Sequence, residues 1–81
     1  MKVTIQAFAI LKEKLGETVN IELNEKSTVD DILMQLQKLF PDDADLIAAS
    51  RISSDKEIFR NDTIISKDQS VLFILPPSSG G

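Results

Sequence analysis

Near the end of the chain five consecutive apolar residues, Val71-Leu72-Phe73-Ile74-Leu75, run straight into Pro76-Pro77. A strand made from this run carries apolar side chains on both faces, the pattern of a strand inside a sheet. The residues are mostly good strand formers. With 81 residues in all, the chain has room for one core. The expected frame is therefore a sheet built around residues 71–75, with helices covering one face. Leu72 and Ile74 would point one way, and Val71, Phe73 and Leu75 the other.

The rest of the chain supplies the partners. Val3, Ile5 and Ala7 alternate with Lys2, Thr4 and Gln6, which predicts a half-buried strand whose polar face ends at Phe8. Ile10, Leu11 and Leu15 keep helical spacing, and Gly16 suits the end of that short helix. Val19, Ile21 and Leu23 alternate with Asn20, Glu22 and Asn24, predicting a second strand antiparallel to the first. A main helix follows from about Thr28 to Phe40. Ser27 or Thr28 caps it, Asp30 and Asp31 sit at its positive end, and Thr28-x-x-Asp31 makes a weak capping box. Its apolar stripe is Val29, Ile32, Leu33, Leu36, Leu39 and Phe40. Pro41 ends it, and Asp42 or Asp43 suits the cap of a second short helix through Leu46 to Ala49. Arg51-Ile52-Ser53 and Glu57-Ile58-Phe59-Arg60 read as short strands, with a turn at Asn61-Asp62 and an ambiguous Thr63-Ile64-Ile65. If the last strand lies beside the first, the sheet is mixed and the main helix crosses one face, an α+β roll.

Composition narrows the function. The chain has no His, Cys, Trp or Tyr. That removes the commonest general base and metal ligand, thiolate chemistry, disulfides and Cys-ligated metal. A net charge of −4 argues against binding a phosphate backbone. No apolar run approaches the roughly 20 residues that span a bilayer. The first residues alternate as a strand does, unlike a signal peptide, so a cytoplasmic location is expected.

The end of the sequence then stands out. Pro76-Pro77-Ser78-Ser79-Gly80-Gly81 combines two φ-restricting residues with four small ones. Such a segment buries almost nothing, but it is thin enough for a narrow channel. Its last two residues have no Cβ to obstruct a reagent at a terminal carboxyl. Alone, a Ser/Gly-rich end is also the composition of a linker. In a chain with few tools for side-chain catalysis, the carboxyl of Gly81 is nevertheless the best candidate for chemistry. Phe73 and Leu75, on the uncovered face of the last strand, would form an apolar cluster with Phe8 if the first and last strands pair. That cluster is a candidate docking surface.

With these pieces in place, the chain resembles the ubiquitin-like β-grasp sulfur carriers, and within them the MoaD-type small subunits of molybdopterin synthase. The resemblance rests on the ending Pro76 to Gly81 after a hydrophobic strand, on Phe8-Ala9 before a helix closed by Gly16, and on the Thr28-Val29 helix start. It departs in loops, at Ser53-Ser54-Asp55 and at Ser66-Lys67-Asp68-Gln69-Ser70. The resemblance implies a β-grasp domain over 1–75 and a flexible sulfur-carrying tail over 76–81. It implies that an adenylyltransferase of the ubiquitin-activating type uses ATP to adenylate Gly81. A sulfur donor then leaves a thiocarboxylate there. The tail delivers that sulfur to cyclic pyranopterin monophosphate, building the dithiolene of molybdopterin.

On this reading Gly81, with Gly80, is the reacting end, and the catalytic side chains sit on the large subunit. Phe8, Phe73, Leu75, Pro76, Pro77, Ser78 and Ser79 meet that subunit, in an assembly of two small and two large chains. No metal, intrinsic cofactor, nucleic acid or membrane is implied. A thiamin-type carrier serving thiazole synthesis, a ubiquitin-like protein modifier and a binding module with an idle tail remain open.

Overall fold

The computed structural model of the protein describes residues 1–77. Strand β1 (Lys2–Ala7) follows its sequence alternation: Val3, Ile5 and Ala7 are buried, while Thr4 and Gln6 sit on the other face. It pairs antiparallel with β2 (Thr18–Glu22), with Val3 opposite Ile21 and Ile5 opposite Val19. Between them lies the short helix α1 (Ile10–Leu15), which buries Leu11 and Leu15 but leaves Ile10 exposed. Gly16 closes α1 at φ 92°, and its N–H donates to the Lys12 carbonyl at 3.0 Å. A side chain is rarely tolerated in that left-handed conformation.

Helix α2 (Val29–Leu39) packs Val29, Ile32, Leu33 and Leu36 onto the sheet. The cap is stronger than the shortness of Asp suggests. Thr28 Oγ1 accepts from the Asp31 N–H at 3.3 Å, and Asp31 Oδ2 accepts from the Thr28 N–H at 2.8 Å, so the box closes in both directions. The remaining first-turn donors are met by a loop, with Val29 N–H to Thr63 O at 3.0 Å and Asp30 N–H to Asn61 O at 2.9 Å. This helix end is fully engaged by protein groups.

Leu39 departs from the expected stripe, being 54% exposed. It falls on the last helical residue, where the chain turns into a 3-10 turn at Pro41–Asp43 and then helix α3 (Ala44–Ala48). Phe40, Leu46 and the fully buried Ile47 close that end of the core instead. Asp43 occupies the N-cap position of α3 without making a side-chain cap bond.

Strand β3 (Arg51–Ser53) pairs antiparallel with β4 (Val71–Leu75), and β4 pairs parallel with β1. Among the described residues the sheet is mixed and four-stranded, in the order β2-β1-β4-β3, with β4 inside it. This is the α+β, β-grasp-like arrangement expected from the sequence.

The strand expected at Glu57–Arg60 does not form. Ser53 and Ile58 make one isolated bridge, and Ser54 Oγ accepts from the N–H groups of Lys56 and Glu57 at 3.1 and 3.2 Å. That side-chain turn competes with a ladder for the backbone donors. Phe59 still enters the core, its N–H donating to Ile52 O at 2.9 Å. The ambiguous stretch at Ile64 makes one isolated bridge to Thr28, and Ile65 is buried.

Candidate functional site

Strand β4 separates two environments, one on each side of the sheet. Leu72 and Ile74 are 0% exposed beneath the helices. Val71 is 51% exposed on the other side, with Phe73 and Leu75 half-buried there. The register fixes their neighbours: Val71 beside Thr4, Phe73 between Gln6 and Ser53, and Leu75 opposite Arg51.

Phe8 joins this face. One residue beyond the Ala7–Ile74 pair, its ring lies 5.6 Å from that of Phe73 at an interplanar angle of 53°. This is the tilted geometry that aromatic quadrupoles favour, worth about 0.5–1.5 kcal/mol beyond area burial. Phe8 remains 41% exposed, so the pair is a partly open surface cluster.

The backbone after Phe8 is unusual. The Leu11 N–H donates to Phe8 O at 3.1 Å, closing a turn in which Ala9 adopts φ 55° and ψ −132°. These are the angles of the first central position of a type II′ turn, where glycine is the usual residue. A Cβ in such a region costs about 1–3 kcal/mol. Ala9 is exposed, so burial of its methyl does not offset that cost. The turn allows β1 to pass directly into α1 while Phe8 stays on the outer face.

The root of the C-terminal segment borders a concave groove of about 400 Å³ lined by Ala49, Arg51, Ile58, Leu75, Pro76 and Pro77. Ile58 is 61% exposed and was not among the residues expected here. The available signal was its neighbour: once Phe59 enters the core, Ile58 faces away. A second depression, about 510 Å³, lies on the other flank of Phe73 between residues 54–56 and 68–70. At its rim the Ser66 hydroxyl donates to Asp68, and this bond holds the Asp68 carboxyl below its ordinary range, helped by its own backbone N–H.

Phe8 and Phe73 are therefore in contact, and Leu75, Pro76 and Pro77 border the groove beside the end of β4. Ser78, Ser79, Gly80 and Gly81 lie outside the described residues. Among the described residues no helix is long and apolar enough to cross a membrane.

The ThiS family model matches residues 5–81. No match was found among curated proteins. Among solved structures, SAMP1 from Haloferax volcanii is 26% identical, covers 100% of both chains and superposes with a TM-score of 0.75. A structure described as molybdopterin converting factor, subunit 1, from Pyrococcus furiosus is 24% identical, with coverage of 96% and 99% and a TM-score of 0.78. Small archaeal modifier protein 1 of H. volcanii matches at 23% identity, coverage of 95% and 98%, and a TM-score of 0.73.

Proposed function

The chain belongs to the ThiS family, and from that membership we propose that it is a sulfur carrier for molybdopterin synthesis, its reacting group being the carboxyl of Gly81. The observation that carries the reading is the ending itself: Pro76 to Gly81 leaves directly from the inner strand of the sheet, beside an apolar face not covered by helices. The match to a molybdopterin converting factor subunit supports the choice of pathway at the level of fold.

The chemistry follows from the weakness of a carboxylate as an electrophile. A partner adenylyltransferase joins the Gly81 carboxylate to the α-phosphate of ATP and releases pyrophosphate, giving the acyl carbon a good leaving group. The terminal sulfur of a persulfide displaces AMP. Cleavage of the S–S bond by a thiol leaves a thiocarboxylate at Gly81. A large synthase subunit receives the tail and directs the sulfur to cyclic pyranopterin monophosphate.

In this proposal residues 1–75 form the docking domain and 76–81 the tail. Phe8, Phe73 and Leu75 contact the large subunit in an assembly of two small and two large chains. The prolines reduce the conformational freedom lost on threading, and Ser78 and Ser79 bond to the channel wall. ATP is consumed by the activating enzyme, and the pathway runs in the cytoplasm.

A second reading has its own support. The likeness to SAMP1, a protein also described as a small archaeal modifier, favours a modifier whose Gly81 forms isopeptide bonds with lysines. The family also leaves a thiamin-type carrier in play.

Intact mass separates these readings. Co-expression with the cognate activating enzyme and a sulfur source should add roughly 16 Da for oxygen-to-sulfur exchange at the activated acyl group. Covalent adducts to other proteins, without that species, would support the modifier. Thiocarboxylate that is spent on thiazole and not on dithiolene would support the thiamin-type carrier. Deleting Gly81 withdraws the reacting group by about 3.3 Å, where about 1 Å can cost a hundredfold in rate. The deletion should abolish transfer and leave the fold intact. Near-normal transfer by that variant would end the sulfur-carrier reading.

A further inference from the structure

The groove at the root of the C-terminal segment has one ionisable side chain, Arg51, among five apolar neighbours: Ala49, Ile58, Leu75, Pro76 and Pro77. Arg51 opens β3 directly opposite Leu75, and it is exposed. The ion pairs among the described residues are Met1 with Glu22, Arg60 with Asp62, and Lys67 with Glu25, so Arg51 is in none of them.

We infer that Arg51 is a docking anchor that selects a partner carrying a carboxylate, seated in this groove between apolar side chains. The inference rests on the reading that the outer sheet face docks the large subunit. Covering Leu75 and Ile58 removes water from the Arg51 guanidinium as well. An unpaired guanidinium taken from water costs more than the surrounding apolar contacts return. The partner must therefore supply an acceptor, and a carboxylate matches the planar fork with two parallel hydrogen bonds.

Net charge would suggest the opposite complement. The chain carries −4, so its overall field steers a basic surface toward it. Arg51 requires a local acidic residue within that surface. This makes it a device for register and partner choice, since a purely apolar or basic patch is rejected at this point.

Titration calorimetry of the full chain with its large subunit tests this, using three substitutions at Arg51 and one at Phe73. Arg51→Lys keeps the charge but loses the planar fork, so it should bind more weakly than the unaltered chain and more tightly than Arg51→Met. Arg51→Met and Arg51→Glu should each weaken binding about tenfold or more, because the partner carboxylate is left buried and unpaired, or repelled. All three keep an exposed strand position, and their thermal unfolding should match the parent. Binding by Arg51→Met that equals or exceeds the parent overturns the inference, because the groove then wants only apolar contact.

Phe73→Ala separates the two levels of argument. If it leaves binding unchanged, the docking reading itself fails. If it weakens binding while the Arg51 variants do not, only the anchor fails. The same Arg51→Glu change in a chain lacking Ser78–Gly81 should keep its penalty. Loss of the penalty there would mean that Arg51 serves the chain's own terminal carboxylate, which also overturns the proposal.

Discussion

Substituting two adjacent residues of β4 should give opposite phenotypes, because one side of the strand is core and the other is the proposed docking side. Ile74 is 0% exposed in the core. Ile74→Ala removes buried methylenes and leaves a cavity, at a cost of about 2–5 kcal/mol. In a domain of this size each kcal/mol shifts the melting temperature by about 4–8 °C, so a fall of about 10 °C or more is expected. Phe73 lies one residue earlier, half-buried on the outer face against Phe8. Phe73→Ala gives up the tilted ring pair and part of its area burial, together about 1–2 kcal/mol.

Binding should rank the two in the reverse order. As an aromatic anchor at the centre of the docking face, Phe73 should account for a loss of more than about 1–2 kcal/mol of affinity, tenfold or so. Ile74→Ala should bind nearly normally at temperatures where it is folded. Urea denaturation followed by circular dichroism gives the stabilities, and calorimetry with the large subunit gives the affinities. Equal destabilisation by the two substitutions, with unchanged affinity for Phe73→Ala, would show that Phe73 belongs to the core and that the faces are misassigned.

Two other substitutions test local features. Thr28→Ala breaks the capping box by removing the acceptor for the Asp31 N–H. It should lower stability by about 0.5–2 kcal/mol, read as a lower urea midpoint at constant m-value. Ala9→Gly relieves about 1–3 kcal/mol of backbone strain. It also gives the unfolded chain about 0.5–1 kcal/mol of extra freedom, so stability should hold or rise by up to about 2.5 kcal/mol. A loss above about half a kcal/mol would refute the strained turn.

The sequence reading succeeded where one physical rule dominates. An uninterrupted apolar run in a small two-layer chain reads as an inner strand, and its alternation separates Leu72 and Ile74 from Val71, Phe73 and Leu75; the fold puts the first pair in the core. Reading failed where neighbours in space decide the outcome. Leu39 continues the apolar stripe of α2, yet Phe40, Leu46 and Ile47 close that end of the core. Glu57–Arg60 has a strand-like composition, but the Ser54 hydroxyl takes up donors that a ladder would need. The strain at Ala9 has no signature in residue type, since alanine ordinarily signals helix. Ile58 could be placed only after Phe59 was known to be buried.

The distribution of polarity over the outer sheet face bears on whether its exposed apolar residues reflect docking or a simple shortage of polar ones. A shortage would scatter apolar side chains over every strand. On β1 and β2 the outward positions are Lys2, Thr4, Gln6, Thr18, Asn20 and Glu22, all polar, and they pair with one another across the ladder. On β4 the outward positions are Val71, Phe73 and Leu75, all apolar. The change occurs between neighbouring strands, at the pairs Thr4–Val71 and Gln6–Phe73. Polar residues at the β2 edge discourage unwanted strand pairing there, and the apolar surface centres on the strand that ends in Pro76-Pro77, joined by Phe8 and Ile58 at its flanks. A partner held on that surface necessarily lies beside the point where the C-terminal segment leaves the sheet. On the proposed function, docking and presentation of the reacting end are thereby joined in one strand.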